Sequence, residues 1–236
     1  MPSVIELPMQ SLAQRLAALE RDIDGGSYRG GLWQPMLAEI RRLPRDERAA
    51  LSETVSRISA TLHTRKTKSR VPFTLGLTLE VALAVCGAAL LSFAVQQRST
   101  AAAIATAIIW TMAFQPLAKI LIGSLLGIRY AYAYLLGPEP RFKMRYGTYI
   151  AAPRAARIVF HLSGTVGSPI GAWLPIRFLE PELPKAVEFC WVLFGVVVAI
   201  NAVPFILALA GFVRMGPVRL SLGSAASAAL EIREAL

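Results

Sequence analysis

Apolar and polar residues follow two different patterns along the chain, and the pattern changes near residue 70. In residues 1–70 apolar positions recur at helical spacing among charged side chains, as in "SLAQRLAALERDI", where Leu12, Leu16, Leu19 and Ile23 form one stripe. The segments "LWQPMLAEIRRL" and "PRDERAALSETVSRISATL" continue this pattern. Residues 1–70 are therefore predicted to form amphipathic helices that pack together or lie on the membrane surface.

Four long apolar segments follow this polar region. They cover about residues 71–95, 100–128, 158–176 and 186–213, and the third is the shortest and is rich in glycine. At about 1.5 Å per residue, each can cross a hydrocarbon layer about 30 Å thick, the third only just. The pattern predicts an all-α integral membrane protein, with four transmembrane helices in a domain of residues 71–213 and a tail of residues 214–236.

The charges of the connecting segments predict the orientation of the spans. The connection 129–157 contains one acidic residue, Glu139, and six basic residues: Arg129, Arg141, Lys143, Arg145, Arg154 and Arg157. The other two connections, "QQRST" and "RFLEPELPK", are short and balanced or acidic. Because basic loops stay in the cytoplasm, both termini and the loop 129–157 are expected on the cytoplasmic side of the inner membrane. Residues 141–152 in this loop have strand character.

Composition supports a membrane protein and excludes other classes. Hydrophobic residues make up 55% of the chain and charged residues 17%, which is too apolar for an ordinary soluble domain. The net charge of +10 suits a surface against anionic lipid, and nucleic acid is not expected because no basic stretch is interleaved with aromatic residues. The first ten residues lack the pattern of a cleaved signal peptide.

Several polar side chains interrupt the apolar segments. Glu80 and Lys119 are each nine residues from the cytoplasmic ends of the first two spans, so they are expected at similar depth. We predict that they form an ion pair or share a hydrogen-bond network within a polar centre that includes Gln115 and Asn201, because charges in hydrocarbon usually find partners. The alternative is a protonated Glu80 and a Lys119 that extends towards the membrane surface.

His161 begins the segment "HLSGTVGSPIG" in the third span. A single histidine in a membrane helix is more often hydrogen-bonded within the structure than bound to a metal, so His161 is interpreted as a hydrogen-bond site or, less readily, a ligand. Ser163 and Ser168 are close enough along the chain to suggest a nucleophile with a histidine base, although no third orienting group is evident.

Small residues recur at four-residue spacing in two spans. The pattern includes Gly123 and Gly127 in "GSLLG", and Gly164, Gly167 and Gly171 in the third span. Such spacing lets helix backbones approach closely, so these glycines are predicted to pack helices within one chain, with a homo-oligomer as the alternative.

The segment "QPLAKILIGSLLGIR" and its neighbours resemble the site-2 protease family of intramembrane zinc metalloproteases. In that family one helix carries His-Glu-x-x-His and runs into a pattern such as "ALAARLLGIR", and residues 125–129 here keep the Leu-Leu-Gly-Ile-Arg ending. "PRFKMRYGTYIAAP" resembles the family's substrate-facing hairpin, and "ARIVFHLSGTVGSPIGAWL" resembles its "VLVALAGPLANLLL" segment. "INAVPFILALAG" is similar to its Asn-x-x-Pro approach to Leu-Asp-Gly. The resemblance covers about residues 100–215.

The sequence departs from the family pattern at the residues that carry the zinc chemistry of the family. Gln115, Pro116 and Lys119 occupy the positions of the first histidine, the glutamate and the second histidine, and residues 206–211 lack the aspartate. Zinc peptidases need ligands for the metal and a carboxylate to move protons. The resemblance therefore implies a pseudo-protease with no catalytic residue, no metal and no cofactor.

The leading functional hypothesis is a non-catalytic membrane protein that binds another membrane protein or a peptide segment of one. The strand-like segment 141–152 would pair with an extended peptide through its edge. Two alternatives remain open: a small oligomeric transporter or channel component that uses Glu80, Lys119 and Asn201, and a membrane-embedded hydrolase of unfamiliar type.

Overall fold

The computed structural model describes residues 11–65, 67, 69–136, 139–179, 182–212 and 224–233. The helices and strands in chain order are α1 (Leu12–Asp24), α2 (Trp33–Arg42), α3 (Arg45–Ala50), α4 (Ser52–Thr64), β1 (Arg70–Pro72), α5 (Phe73–Gln96), α6 (Thr100–Leu125), β2 (Tyr130–Leu136), β3 (Glu139–Met144), α7 (Tyr146–Ala151), α8 (Arg154–Trp173), α9 (Ile176–Leu179), α10 (Pro184–Leu209) and α11 (Ser224–Arg233). The fold is mostly helical but not all-α, because it contains a small sheet. These elements belong to two compact units.

The first unit contains α1 to α4 together with α7. Helix α1 starts with a capping box, in which the Ser11 hydroxyl accepts from the Gln14 backbone N–H and the Gln14 side chain accepts from the Ser11 N–H. Of the apolar stripe predicted in this helix, Leu16, Leu19 and Ile23 are buried. The amphipathic pattern therefore reports correctly which face packs against neighbouring helices.

Helix α7 replaces the second half of the strand-like segment predicted at 141–152. Residues 146–151 are helical and pack against α3 and α4, far along the chain. Gly147 makes this packing possible: its backbone N–H donates to the Ser56 hydroxyl at 3.1 Å, and a Cβ atom there would lie 1.7 Å from the Ser52 carbonyl oxygen. The strand prediction is wrong for residues 146–151 because a tertiary contact, rather than local propensity, sets their conformation.

The second unit contains a three-stranded antiparallel sheet with the order β1-β2-β3. Strand β1 immediately precedes α5, and β2 starts shortly after α6, so the sheet lies at one end of these two helices. In the register, Ala133 is paired with Val71 on one side and with Phe142 on the other. A Cβ atom on Gly76 of α5 would lie 2.3 Å from the Ala133 Cβ, so the sheet packs tightly on α5.

Three helices are long and apolar enough to cross a membrane: Phe73–Gln96, Thr100–Leu125 and Pro184–Leu209. They correspond to the first, second and fourth predicted spans, with ends shifted by a few residues. The third predicted span is also helical, as α8, but this helix is shorter and starts with the basic residues Arg154 and Arg157. Four spans therefore remain a prediction, and three helices meet the criterion for a span among the described residues.

Helix α11 lies within the region predicted as a tail. It packs against α8 and α10, and almost all of its small residues are buried, with Ala226, Ala228 and Ala229 having no exposed surface. Residues 214–223 and 234–236 of the predicted tail lie outside the described residues.

Candidate functional site

Helices α6 and α8 are antiparallel and approach closely along most of their length. Three glycines of α8 face the backbone or side chains of α6: Gly164 faces Lys119, Gly167 faces Gln115, and Gly171 faces Trp110. Cβ atoms at Gly167 and Gly171 would lie 2.5 Å and 2.3 Å from the carbonyl oxygens of Phe114 and Trp110. The α8 glycines thus allow contact between helices of one chain.

The two glycines of "GSLLG" have different positions. A Cβ atom at Gly123 would lie 2.5 Å from the Tyr130 hydroxyl and 3.0 Å from the Phe160 ring, so Gly123 belongs to the α6–α8 contact. Gly127 follows the end of α6 with a φ of +78°, and nothing lies within 4 Å of its Cβ position. Gly127 therefore provides the left-handed residue that ends the helix, rather than a packing surface.

Lys119 lies at the centre of the α6–α8 contact and is partly buried. Its Nζ atom lies 4.9 Å from the centroid of the Phe160 ring, a cation–π contact. Its methylene groups pass over Gly164, where a Cβ atom would lie 2.5 Å from the Lys119 Cδ. The Tyr130 hydroxyl donates to the Lys119 carbonyl oxygen at 2.7 Å, which ties β2 to this turn of α6.

Glu80 is buried in α5, with 2% of its surface exposed. The α5–α6 register follows from two hydrogen bonds, in which the Trp110 indole donates to the Ala84 carbonyl at 2.9 Å and the Thr106 hydroxyl donates to the Gly87 carbonyl at 3.4 Å. Extended along the two helices, this register places Glu80 level with a position of α6 that is about five residues before Lys119. The two residues are therefore about 7 Å apart along the helix axis. A direct Glu80–Lys119 pair would need both side chains to reach along the helices, and it stays a prediction.

Gln115 and Pro116 form a distorted turn of α6 beside α8. Pro116 lies inside the helix and has no backbone N–H, so the carbonyl four residues earlier, on Met112, lacks its usual helical donor. The Gln115 Cα would be 2.9 Å from a Cβ atom at Gly167. The positions that the sequence resemblance assigned to a histidine and a glutamate therefore lie in a turn that packs closely against α8.

Asn201 uses its side-chain amide within its own helix. Its Nδ2 donates to the Val197 carbonyl oxygen at 2.8 Å, one turn earlier in α10. This hydrogen bond satisfies the amide donor locally, as Ser and Thr side chains often do in helices. The Asn201 side chain therefore forms a hydrogen bond within α10, which the prediction of a shared polar centre did not include.

The polar residues around His161 face different directions. The Ser163 hydroxyl donates to the Phe160 carbonyl at 2.8 Å, and in a helix residues two positions apart lie on opposite faces. Ser168 and His161 are both buried and share a face, but seven residues separate them by about 10 Å along the axis. A nucleophile and its base need about 3 Å, so neither serine is placed to form that pair with His161.

The sequence did not reveal a buried ion pair between α8 and α11. The Arg157 Nε donates to the Glu231 Oε2 at 3.0 Å, and the Arg157 Nη1 donates to the Ala152 carbonyl at 3.1 Å. Exposure of the two charged side chains is 3% and 0%. Arg157 lies seven residues before Gly164 and on the same face of α8. This spacing was the one signal in the sequence that the Arg157 side chain points into the protein.

The register of α11 follows from this ion pair. Glu231 lies beside Arg157, and the Ser224 Oγ would be 2.8 Å from a Cβ atom at Gly164. Position numbers rise along α11 while they fall along α8, so the two helices are antiparallel. Helix α11 therefore begins at the level of Lys119 and ends at the level where α8 starts.

One face of the sheet combines tyrosines with basic side chains. Tyr132 is paired with Lys143 and Tyr134 with Arg141, and the Arg70 guanidinium lies 5.9 Å from the centroid of the Tyr132 ring. Burial lowers the pKa of Lys143 to about 8, because the desolvated ammonium form is disfavoured.

Lys143 is expected to make a contribution to stability that rises with pH as its ammonium group titrates. Above pH 8 the folded protein has lost a proton that the unfolded chain keeps until about 10.5, so stability increases across this window. Below pH 8 both states carry the proton and the burial penalty is constant. Chemical unfolding across this pH range should show a smaller rise in stability in Lys143→Met than in wild type. Lys185→Met, which replaces an exposed lysine, is the control and should show the wild-type dependence of stability on pH. The same dependence in Lys143→Met as in wild type would contradict the assignment of this titration to Lys143.

Metal-ligand side chains do not gather in the described parts of the chain: no group of three or more His, Cys, Asp or Glu residues there could hold a metal ion. No family model, curated protein or solved structure matches the chain. The resemblance to site-2 proteases therefore stays a prediction from the sequence.

Proposed function

We propose that this chain is a non-catalytic membrane protein that binds an extended segment of another membrane protein along the outer edge of β3. One observation carries the proposal: the sheet order β1-β2-β3 places β3 at an edge of the described sheet, beside the ends of membrane-length helices. An edge strand presents backbone N–H and C=O groups that can pair with an added strand.

The hairpin that carries this edge is held firmly by α5 and α6. The Phe73 ring stacks on Tyr130 with centroids 5.4 Å apart, and it meets the Phe142 edge at 6.0 Å. A fixed edge strand loses little further freedom when a partner pairs with it, which favours binding. The adjacent cations Arg141 and Lys143 favour a partner segment with acidic residues.

The proposal includes a membrane topology. Helix α8 would be the fourth span, the sheet would lie on the cytoplasmic side of the inner membrane with both termini, and the scaffold would be that of a pseudo-protease related to the site-2 family. The basic character of residues 129–157 supports the orientation. A binding role rather than a catalytic one is supported by the residues at the positions where the resembled family has its metal ligands and catalytic carboxylate. These residues are Gln115, Pro116 and Lys119.

Site-specific photo-crosslinking in cells tests the binding mode. We expect photoreactive residues at positions 141 and 143 to label the same partner segment, at points two residues apart, because paired strands keep one register. The matched control is position 192 on α10, where the native Val192 is 66% exposed. Scattered adducts, or equal labelling from position 192, would contradict strand pairing at this edge.

A further inference from the structure

The two faces of the three-stranded sheet differ in chemistry. On one face Ala133 and Phe142 lie against Gly76 of α5. Because side chains alternate between the faces of a sheet, the neighbouring positions point to the other face. The basic and aromatic residues of that other face form a group that we call the basic sheet face: Arg70, Tyr132, Tyr134, Arg141 and Lys143.

Register and ring contacts bring the members of the basic sheet face together. Tyr134 is paired with Arg70 on one side and with Arg141 on the other, and Tyr132 is paired with Lys143. The Arg70 guanidinium lies 5.9 Å from the centroid of the Tyr132 ring, and the two tyrosine rings meet edge to face at 6.4 Å. Arg70 is exposed and the other four residues are partly exposed, so a ligand can reach the group from outside the protein.

The charges of the sheet favour an anion. The three strands contain three basic residues and a single acidic residue, Glu139. The excess of cations within one small sheet produces a positive potential over the tyrosine rings. Arginine donates two parallel hydrogen bonds to a phosphate group, and tyrosine hydroxyls add further donors. The basic sheet face therefore has the chemistry of a phosphate site.

The position of β1 identifies a membrane as the source of the phosphate. Strand β1 ends at Pro72, and α5, which is long and apolar enough to cross a membrane, begins at Phe73. Arg70 precedes Phe73 by three residues, which is at most about 10 Å of extended chain. The headgroup layer on each side of the hydrocarbon is about 5–8 Å thick, and tyrosine side chains concentrate there. The phosphate groups of lipids are therefore within reach of Arg70.

We propose that the basic sheet face binds the headgroup phosphate of an anionic phospholipid, with Arg70 and Arg141 on either side of Tyr134. The proposal rests on the membrane topology of the proposed function and not on strand pairing. The headgroup contacts side chains on one face of the sheet, whereas an added strand would pair with backbone groups along the outer edge of β3.

Native mass spectrometry of the purified full-length protein, titrated in detergent micelles with dioleoyl phosphatidylglycerol, tests this proposal. We expect the first equivalent to bind wild type at least about tenfold more tightly than dioleoyl phosphatidylcholine does, because only the former carries a net negative charge. Arg70→Gln should weaken phosphatidylglycerol binding about fivefold, and Arg70→Lys, which keeps the charge, should weaken it less. The control is Arg177→Gln, which replaces an exposed arginine of α9 after the far end of α8 and should bind as wild type does.

A soluble competitor separates a lipid site from a site for free phosphate groups. Glycerophosphoglycerol, the same headgroup without acyl chains, should not displace the lipid at equal concentration, and equal displacement would overturn the assignment to a lipid. Equal affinity for the two lipids, or an equal loss in Arg70→Gln and Arg177→Gln, would also overturn the proposal.

Two further measurements keep the result independent of folding and of the proposed function. Far-ultraviolet circular dichroism identifies a misfolded variant, and Arg141→Gln, on the other side of Tyr134, then tests the same row of the sheet. Partner crosslinking from positions 141 and 143 is expected to be unchanged in Arg70→Gln, since Arg70 is on β1 and the proposed partner pairs with β3. Lost lipid preference with retained crosslinking therefore places the effect at the lipid site.

Discussion

Replacing Glu231 by alanine is expected to lower the free energy of unfolding by about 3–5 kcal/mol, because it leaves the Arg157 guanidinium buried without its counter-charge. The two side chains are 3% and 0% exposed, so water cannot replace the lost partner without opening the contact between α8 and α11. Helix α11 is short and consists mainly of alanine and serine, and it offers few other specific contacts. Unfolding in mixed micelles with increasing dodecyl sulfate measures the effect.

The control for this prediction is an exposed ion pair in the same unit. Arg98 and Glu182 approach to 3.3 Å, with side-chain exposures of 77% and 44%, and Glu182→Ala should change stability by less than about 1 kcal/mol. The double variant Arg157→Met with Glu231→Leu removes both buried charges, and it should recover most of the lost stability. A loss in Glu231→Ala no larger than that in Glu182→Ala would show that the buried pair does not hold α11.

Replacing Gly171 by alanine is expected to destabilise the contact between α6 and α8 by about 1–3 kcal/mol. The added Cβ would lie 2.3 Å from the Trp110 carbonyl oxygen and 2.5 Å from its carbonyl carbon, so two backbones must separate. Because these are backbone atoms, a side-chain rotation cannot relieve the overlap. The same unfolding assay measures the change, and the fluorescence of Trp110, in a background where the other three tryptophans are replaced by phenylalanine, reports whether the helices move apart.

Gly195→Ala is the matched control for this substitution. Gly195 is in the middle of α10, and nothing lies within 4 Å of its Cβ position. Alanine there should leave stability unchanged or raise it by up to about 1 kcal/mol, because alanine favours the helix more than glycine does. Equal effects at positions 171 and 195 would contradict the close approach of α6 and α8.

The candidate site shows which contacts residue spacing in the sequence can predict and which it cannot. Sequence spacing singled out Lys119 and Gly164, but on different helices and for different reasons, and the structure places one against the other. Spacing counted from helix ends placed Glu80 level with Lys119. The register is instead set by side-chain contacts such as that of Trp110 with Ala84, and these contacts cannot be deduced from where a hydrophobic run begins.

The sequence by itself determined the elements whose cause is local. Three of the four apolar runs form helices long and apolar enough to cross a membrane, and the apolar stripe of α1 identifies its buried face. Both follow from periodicity and from transfer out of water. Tertiary structure decided the rest. Residues 146–151 are helical because Gly147 fits against Ser52, and α11 is buried because Glu231 meets Arg157, seventy-four positions earlier. Alanine and serine are compatible with a solvated tail as well as with a tightly packed helix, so only the partner surface determines which of the two forms.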